Sequence, residues 1–338
     1  MRKILIVAAL VCVAAALGLG GAAYAGWRFL NDPMTLPASG QIIDVAPGTP
    51  LSSLARQLNQ NGILERPRVF SLYARVKGDA TRIKAGEYQL EAGLTPLDLM
   101  EKLIAGDVVL HAFTIVEGVR FSQMLAELQA HEAVVTDAET TEDVMAALGL
   151  PETHPEGQFL PDTYLFPQGT SDLDVLQQAH DALQTVLANL WAEKSDESVL
   201  QSSYEALILA SIIEKETALG SERPLIAGVF NERLRVGMRL QTDPTVIYGM
   251  GEMFDGNLRR RDLETDTPYN TYTRNGLPPT PIALPGEDAI RAAVGPVSDG
   301  SLYFVATGLP DGSHKFSKTI EEHNAAVRAY LRQQRSQQ

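Results

Sequence analysis

The hydrophobic pattern changes character three times along the chain. Residues 4–27 form an uncharged run rich in Ala, Leu, Val and Gly. As a helix this run would be about 36 Å long, enough to cross a hydrocarbon core of about 30 Å. A second pattern follows, of short strands and helices. A strand at 42–45 and a turn at 46–49 lead into a helix at 50–58 with Leu51, Leu54, Ala55 and Leu58 on one face. The scheme recurs as a strand at 87–90, a turn at Gly93 and a helix capped by Thr95 that carries Leu97, Met100, Leu103 and Ile104. It appears a third time as a strand at 113–116, a turn at Glu117-Gly118 and a helix with Met124, Leu125 and Leu128. These units are too small to stand alone, so their apolar faces are expected to pack on one another. The third pattern is longer helices. Residues 172–193 put Val175, Leu176, Ala179, Leu183, Val186, Leu187 and Leu190 on one side. Residues 204–217 follow, with Gly220 as the expected C′ residue, and Ser221 is expected to cap a helix running to Arg235. Residues 240–249 read as a polar loop entering a short strand.

The pattern predicts an α+β protein in five parts: a transmembrane helix at 1–30, a linker at 31–40, a small αβ region at 41–130, a connector at 131–155 and a C-terminal α+β domain at 156–335. Arg2 and Lys3 ahead of the apolar run favour a cytoplasmic N-terminus, and Tyr24 and Trp27 are placed to anchor the far interface. The competing reading is a cleaved signal peptide, since Ala23-Tyr24-Ala25 fits the A-x-A pattern. The apolar part exceeds the usual signal core of about 7–15 residues, which favours retention. Either way the body of the protein is expected outside the cytoplasm.

Charge and cysteine content narrow the function classes. The 338 residues carry a net charge of −14, and residues 121–193 hold 13 acidic side chains with no Lys or Arg. Such a protein repels phosphate backbones, which argues against general nucleic-acid binding. The acidic stretch reads as a solvated face. Cys12 is the single cysteine and the six histidines are dispersed. An intrachain disulfide is therefore impossible, and no Cys/His spacing suggests a metal or cofactor site.

Candidate chemistry gathers in the C-terminal half. In the helix at 204–217, Leu209, Ile212, Ile213 and Glu216 fall at i, i+3, i+4 and i+7, which carries Glu216 onto the apolar face. Glu214 sits about 200° away from it around the axis. A carboxyl against an apolar wall has a raised pKa and can donate a proton to a leaving oxygen. The plainer reading is a solvated helix tip. Gln241, Thr242, Tyr248, Tyr269 and Asn270 lie in stretches rich in amides, hydroxyls and tyrosines, groups that hydrogen-bond and stack on sugars. The plainer alternative is a set of rigid turns. Asp243 reads as fixing its own loop, and Arg259-Arg260-Arg261 as a solvated loop or a contact for carboxylates.

The motifs ASIIEKET (210–217), NERLRVGMRLQTDPTVIYG (231–249), PYNTY (268–272), GLPPTPIA (276–283) and PEGQFLPDTY (155–164) closely resemble the membrane-bound endolytic murein transglycosylases. The V-x-x-G-x-x-L-x-x-L-A pattern from Val45 resembles a LysM module, a βααβ fold that binds N-acetylglucosamine polymers. The resemblance implies a single-pass inner-membrane enzyme with a periplasmic catalytic domain. It further implies cleavage of glycan strands between N-acetylmuramic acid and N-acetylglucosamine to leave 1,6-anhydro ends, and strand termination beside the peptidoglycan synthases. No cofactor or metal is implied. The family's essential glutamate maps to the EKE stretch, at Glu216, with Glu214 in reserve. Two rivals stay open. One is a hydrolytic muramidase using Asp243 or Glu264 as second carboxylate. The other is a catalytically silent, membrane-tethered glycan-binding scaffold.

Overall fold

The computed structural model describes residues 2–337, with side chains from 4 to 335. The chain divides into two compact units, Met1–His111 with Phe166–Gly169, and Ala112–Leu165 with Thr170–Gln338.

The first unit opens with α1 (Arg2–Asn31), which is long and apolar enough to span a membrane. The side chains of Arg2 and Lys3 lie outside the described residues. The stretch read as a spacer is docked. Leu30 and Met34 are buried, and the Met34 amide donates to the Leu94 carbonyl at 2.8 Å. The order is then β1 (Gln41–Val45), α2 (Leu51–Gln60), α3 (Pro67–Lys77), β2 (Gly86–Leu90) and α4 (Pro96–Ala105). β1 and β2 pair antiparallel, with Ile43 opposite Tyr88. Leu54, Leu58, Phe70, Tyr88, Leu99 and Leu103 fill the core. Thr95 caps α4 as expected, in a reciprocal box with Asp98. α3 escaped the pattern reading. Pro67 starts it and Gly78 ends it in the left-handed region.

The chain enters the second unit within β3 (Leu110–Thr114), which starts three residues ahead of the expected strand. Then come α5 (Phe121–Gln129), β4 (Val134–Val135), α6 (Thr141–Ala147), β5 (Thr163–Pro167) and β6 (Thr170–Ser171). β3 pairs with β5, and β4 runs parallel to β6. The third strand–turn–helix copy therefore pairs with β5 and not with the first two copies, so the three do not share one core. The acidic stretch is not wholly solvated either. Asp172, fully buried, accepts hydrogen bonds from the Asp137 amide and from Gln129 Nε2, both at 2.9 Å.

The rest is helical: α7 (Asp172–Ala192), α8 (Ser203–Glu216), α9 (Arg223–Arg235), α10 (Asp243–Met250), α11 (Arg260–Glu264) and α12 (Glu287–Val294). A hairpin of β7 (Tyr303–Ala306) and β8 (His314–Ser317) follows, then α13 (Ile320–Gln337). α8 is the hub, packed by α7, α9, α10 and α12. Ala206 to Ile213 are buried without a break, so this helix has no wet face over two turns. At Gly228 in α9, a Cβ would lie 2.1 Å from the Val297 carbonyl oxygen, so only glycine admits this close approach.

Three local expectations are corrected. Residues 240–249 hold no strand. Pro244 occupies the first turn of α10, and Thr245 and Val246 bury on one side of it, so the helix-start signal overrides the β-branched composition. Gly220 is not the C′ residue of α8. The helix stops at Glu216 because Thr217 turns extended (φ −145°, ψ 135°) and its hydroxyl accepts from the Leu219 amide at 3.0 Å. Ser221 does not cap the next helix. A single 3-10 turn, Gly220–Glu222, precedes α9, whose N-cap position falls to Glu222.

Candidate active site

Glu216 is the last residue of α8, at the mouth of the buried helix rather than within it. Its Oε1 accepts a hydrogen bond from the Thr242 hydroxyl. Burial pushes the Glu216 pKa up and the nearby Asp243 charge adds to this. The Thr242 hydrogen bond, His314 and Arg233 pull the other way. The carboxyl is thereby biased toward its protonated form, while the groups that would steady its anion are already in place.

Thr242 is held there by a strained turn. Gln241 takes φ +49°, which non-glycine residues rarely adopt. Its amide donates to the Thr271 carbonyl at 3.1 Å, and the buried Thr242 amide donates to Thr271 Oγ1 at 3.1 Å. Thr245 and Thr271 share a further hydroxyl–hydroxyl bond at 2.9 Å. The buried residues Thr242, Thr245 and Thr271 thus form a small polar core that aims one hydroxyl at Glu216. The side chain of Gln241 is exposed.

The two glutamates of the EKE stretch lie in different surroundings. Glu214 does not face solvent: its side chain is 6% exposed and accepts from Arg223 at 2.8 Å and from the Gly286 amide at 3.0 Å. Burial raises its pKa, against the Gly286 N–H and Arg223. Helix-face reasoning separated the two residues by 200°, but both are shielded from solvent although Lys215 between them is exposed, so the angle does not separate a dry position from a wet one. Their partners distinguish them. Glu214 is locked in a structural ion pair, whereas Glu216 meets a single neutral donor.

Of the five proposed sugar-contacting residues, Thr242 is the one with a hydrogen bond to Glu216 among the described residues. Asn270 is buried and fully engaged with the chain: Nδ2 donates to the carbonyls of Asp262, Leu263 and Thr265, and Oδ1 accepts from the Tyr272 amide. Tyr269 bonds Thr280 through its hydroxyl at 2.9 Å and packs edge-on to Tyr248, with ring centroids 4.9 Å apart. Tyr248 lies under the Arg120 guanidinium, 5.1 Å from the ring centre, and hydrogen-bonds Glu156. Asp243 does not brace its own loop but accepts from the Tyr272 hydroxyl at 2.6 Å. Glu264 is 61% exposed and paired with Arg260 at 2.7 Å, in a short exposed helix where a loop had been expected.

Several site residues escaped the sequence reading. Arg233, buried beneath the site, donates to the carbonyls of Leu240 and Leu302 and lies over the Tyr303 ring. Glu222 holds the β8 hairpin strand by accepting from the His314 amide at 2.9 Å and pairing with its ring at 2.7 Å, which is why its carboxylate is not free to cap α9. Glu156 is 4% exposed. Burial raises its pKa to about 7, against hydrogen bonds from the Phe121 amide and Tyr248 and the charge of Arg120. Arg233 sits in the polar NERLR end of helix 223–235 and Glu156 in a Glu-Gly pair ahead of Phe159, and neither signal specifies a partner. Among the described residues, no three His, Cys, Asp or Glu side chains converge as a metal site requires.

The sequence profile of the YceG-like family matches residues 43–329, and the chain belongs to that family. It is 32% identical to a protein of Bacillus subtilis named endolytic murein transglycosylase, over 93% of this chain and 91% of that one. A Streptococcus pneumoniae protein of the same name is 27% identical, and there the match spans 63% of the relative's length. The crystal structure of a YceG-like protein from Listeria monocytogenes superposes with a TM-score of 0.54 at 31% identity, covering 85% of this chain and 99% of that one.

Proposed function

We propose that this chain is an endolytic lytic transglycosylase of peptidoglycan with Glu216 as its single acid/base. The observation that carries the reading is the isolated, protonation-biased carboxyl of Glu216 under the Thr242 hydroxyl. In the first half of the reaction Glu216 gives its proton to the glycosidic oxygen as the bond from that oxygen to C1 of N-acetylmuramic acid breaks. In the second half the Glu216 carboxylate takes the proton of the C6 hydroxyl as O6 bonds to C1, closing the 1,6-anhydro ring. The nucleophile belongs to the same sugar, so its effective concentration is high and no second carboxylate is required. Arg233 and His314 stabilise the carboxylate between the two steps. Thr242 orients it, Gln241 and Tyr269 are the candidate contacts for sugar amides and hydroxyls, and Asn270 and Tyr248 position the surrounding turns.

The wider reading takes up the resemblance carried by the sequence motifs together with the apolar helix α1. In it the protein is anchored in the inner membrane with its N-terminus in the cytoplasm and its catalytic domain in the periplasm, and it ends nascent strands beside the synthases. The strand–helix–helix–strand order of residues 41–90 supports a LysM-like, glycan-binding role for that segment. A hydrolytic alternative has one observation in its favour: the Asp243 charge acts on Glu216.

Mass spectrometry of the products from isolated glycan strands separates these readings. The expected muropeptides are lighter by one water than reducing-end forms, and are absent with Glu216→Gln. Reducing-end products would assign hydrolysis and direct the search for a second carboxylate to Asp243 first. No products from either protein would leave only a binding scaffold.

A further inference from the structure

In a protein of net charge −14, residues 51–84 run the other way, with seven Lys or Arg against two acidic side chains. They form α2, α3 and the loop after α3. Between α2 and α3 lies an open groove of about 620 Å³ lined by Arg56, Asn59, Arg68, Ser71, Leu72 and Arg75, with no carboxylate in its lining. Arg68 and Arg75 are exposed and form no ion pair among the described residues. Beside them stand two large apolar side chains that nothing covers, Leu72 at 60% and Val76 at 78% exposed. Cations flanking bare aliphatic groups on one helix are the composition of a surface that meets anionic lipid.

The packing of α3 on α1 gives this face its location. Val69 Cγ1 lies 3.7 Å from the Cβ position of Gly26, and Arg66 donates to the Ala25 carbonyl at 3.3 Å. Twenty residues of helix fill a hydrocarbon core of about 30 Å. The run beginning at Ile4 therefore leaves the core close to Tyr24 and Trp27, whose exposed rings stack at 6.2 Å. The first turn of α3 is thus tied to α1 at the depth of the headgroups. Arg68, Leu72, Arg75 and Val76 follow within about two turns.

We infer that α3, with Arg56 of α2, docks on the membrane that α1 crosses, binding the phosphates of anionic phospholipids through Arg56, Arg68 and Arg75 while Leu72 and Val76 enter the interface. The inference rests on the reading of α1 as a membrane span. Its consequence is mechanical: the first unit is held to the bilayer at two places, so it cannot swivel freely about α1.

The test uses the full chain with Cys12→Ala, carrying a bimane label at Leu72→Cys or, as a control for insertion of α1, at Tyr24→Cys. The protein is reconstituted in vesicles of phosphatidylcholine, alone or mixed with phosphatidylglycerol, containing a lipid with a nitroxide headgroup. The label at position 72 is expected to be quenched about twofold or more strongly with phosphatidylglycerol than without it. Arg68→Glu with Arg75→Glu, or high salt on the unmutated pair, should abolish that difference while position 24 stays quenched. Quenching at 24 with none at 72 in either lipid would overturn the docking, as would quenching at 72 indifferent to lipid charge. A position-72 signal that responds only to added glycan strands would overturn it in favour of stem-peptide carboxylates. Absence of quenching at 24 would remove the membrane span itself, a separate failure.

Discussion

In the first unit α2, α3 and α4 each have a dry face and a wet one; α8 in the second unit has no wet face from Ala206 to Ile213. α2 shows the first situation, with Leu51, Leu54, Ala55 and Leu58 buried and Arg56 in solvent. Hydrophobic periodicity located that face correctly because one side of the helix meets water. In α8 protein surrounds the axis, so periodicity carries little information about which residues are special. Glu214 and Glu216 both turn inward at its end. Their difference lies in partners that arrive from far along the chain, Arg223 and Gly286 for one and Thr242 for the other. A surface helix can be read from its own sequence, and a central helix only from its neighbours.

Mutation should widen this contrast. Glu216→Gln is expected to lower the rate of glycan cleavage by about 10³-fold or more with little change in unfolding free energy, as removal of a general acid does. Measuring both on one preparation checks it; large destabilisation would reassign Glu216 to the scaffold. Glu214→Ala should behave in the opposite way. It leaves Arg223 buried without its closest partner, and about 3–5 kcal/mol of stability should be lost in denaturant titration. Abolished turnover with unchanged stability would exchange the roles of the two residues.

Glu156 extends the comparison to pH. Its folded pKa of about 7 lies above the 4.5 of a free side chain, so between those values the folded state binds more protons than the unfolded one. Stability then falls as pH rises through 4.5–7, by about 3 kcal/mol in total, and the loss is fully present above that range. Glu156→Gln should flatten the slope, as chemical denaturation at a series of pH values would reveal. The smallest effect is expected at Thr242. Thr242→Val removes the hydrogen bond that lowers the Glu216 pKa, so the alkaline limb of the pH–rate profile should move to higher pH and the rate drop about tenfold. Thr242→Ser should restore both, and an unmoved limb would mean that Thr242 does not act on the carboxyl.

The same contrast explains what was legible beforehand. α2, the Thr95 cap of α4 and the buried side of α7 follow from spacing and local capping, and each was read in place. α3 was passed over because its apolar positions Phe70 and Ala74 are few and its outer face also carries Leu72 and Val76. α10 reads as a strand in sequence because Thr245-Val246-Ile247 outweigh the helix start at Asp243-Pro244. At the candidate site, Glu216 and Thr242 came from motif and chemistry, whereas Arg233, Glu222, Glu156 and Thr271 did not, since a charged or hydroxyl residue announces no partner.

The sequence by itself determined the apolar run of α1, the mixed α and β composition, the amphipathic faces and the motif-bearing segments, all of which depend on residues within a few turns of one another. Tertiary structure alone decided which EKE glutamate is paired, which threonine reaches the other, and that Asn270 serves the backbone. Those outcomes depend on contacts between residues as distant as Glu216 and Thr242, or Glu214 and Gly286. The burial and charge that set a carboxyl's protonation exist only once such segments have met.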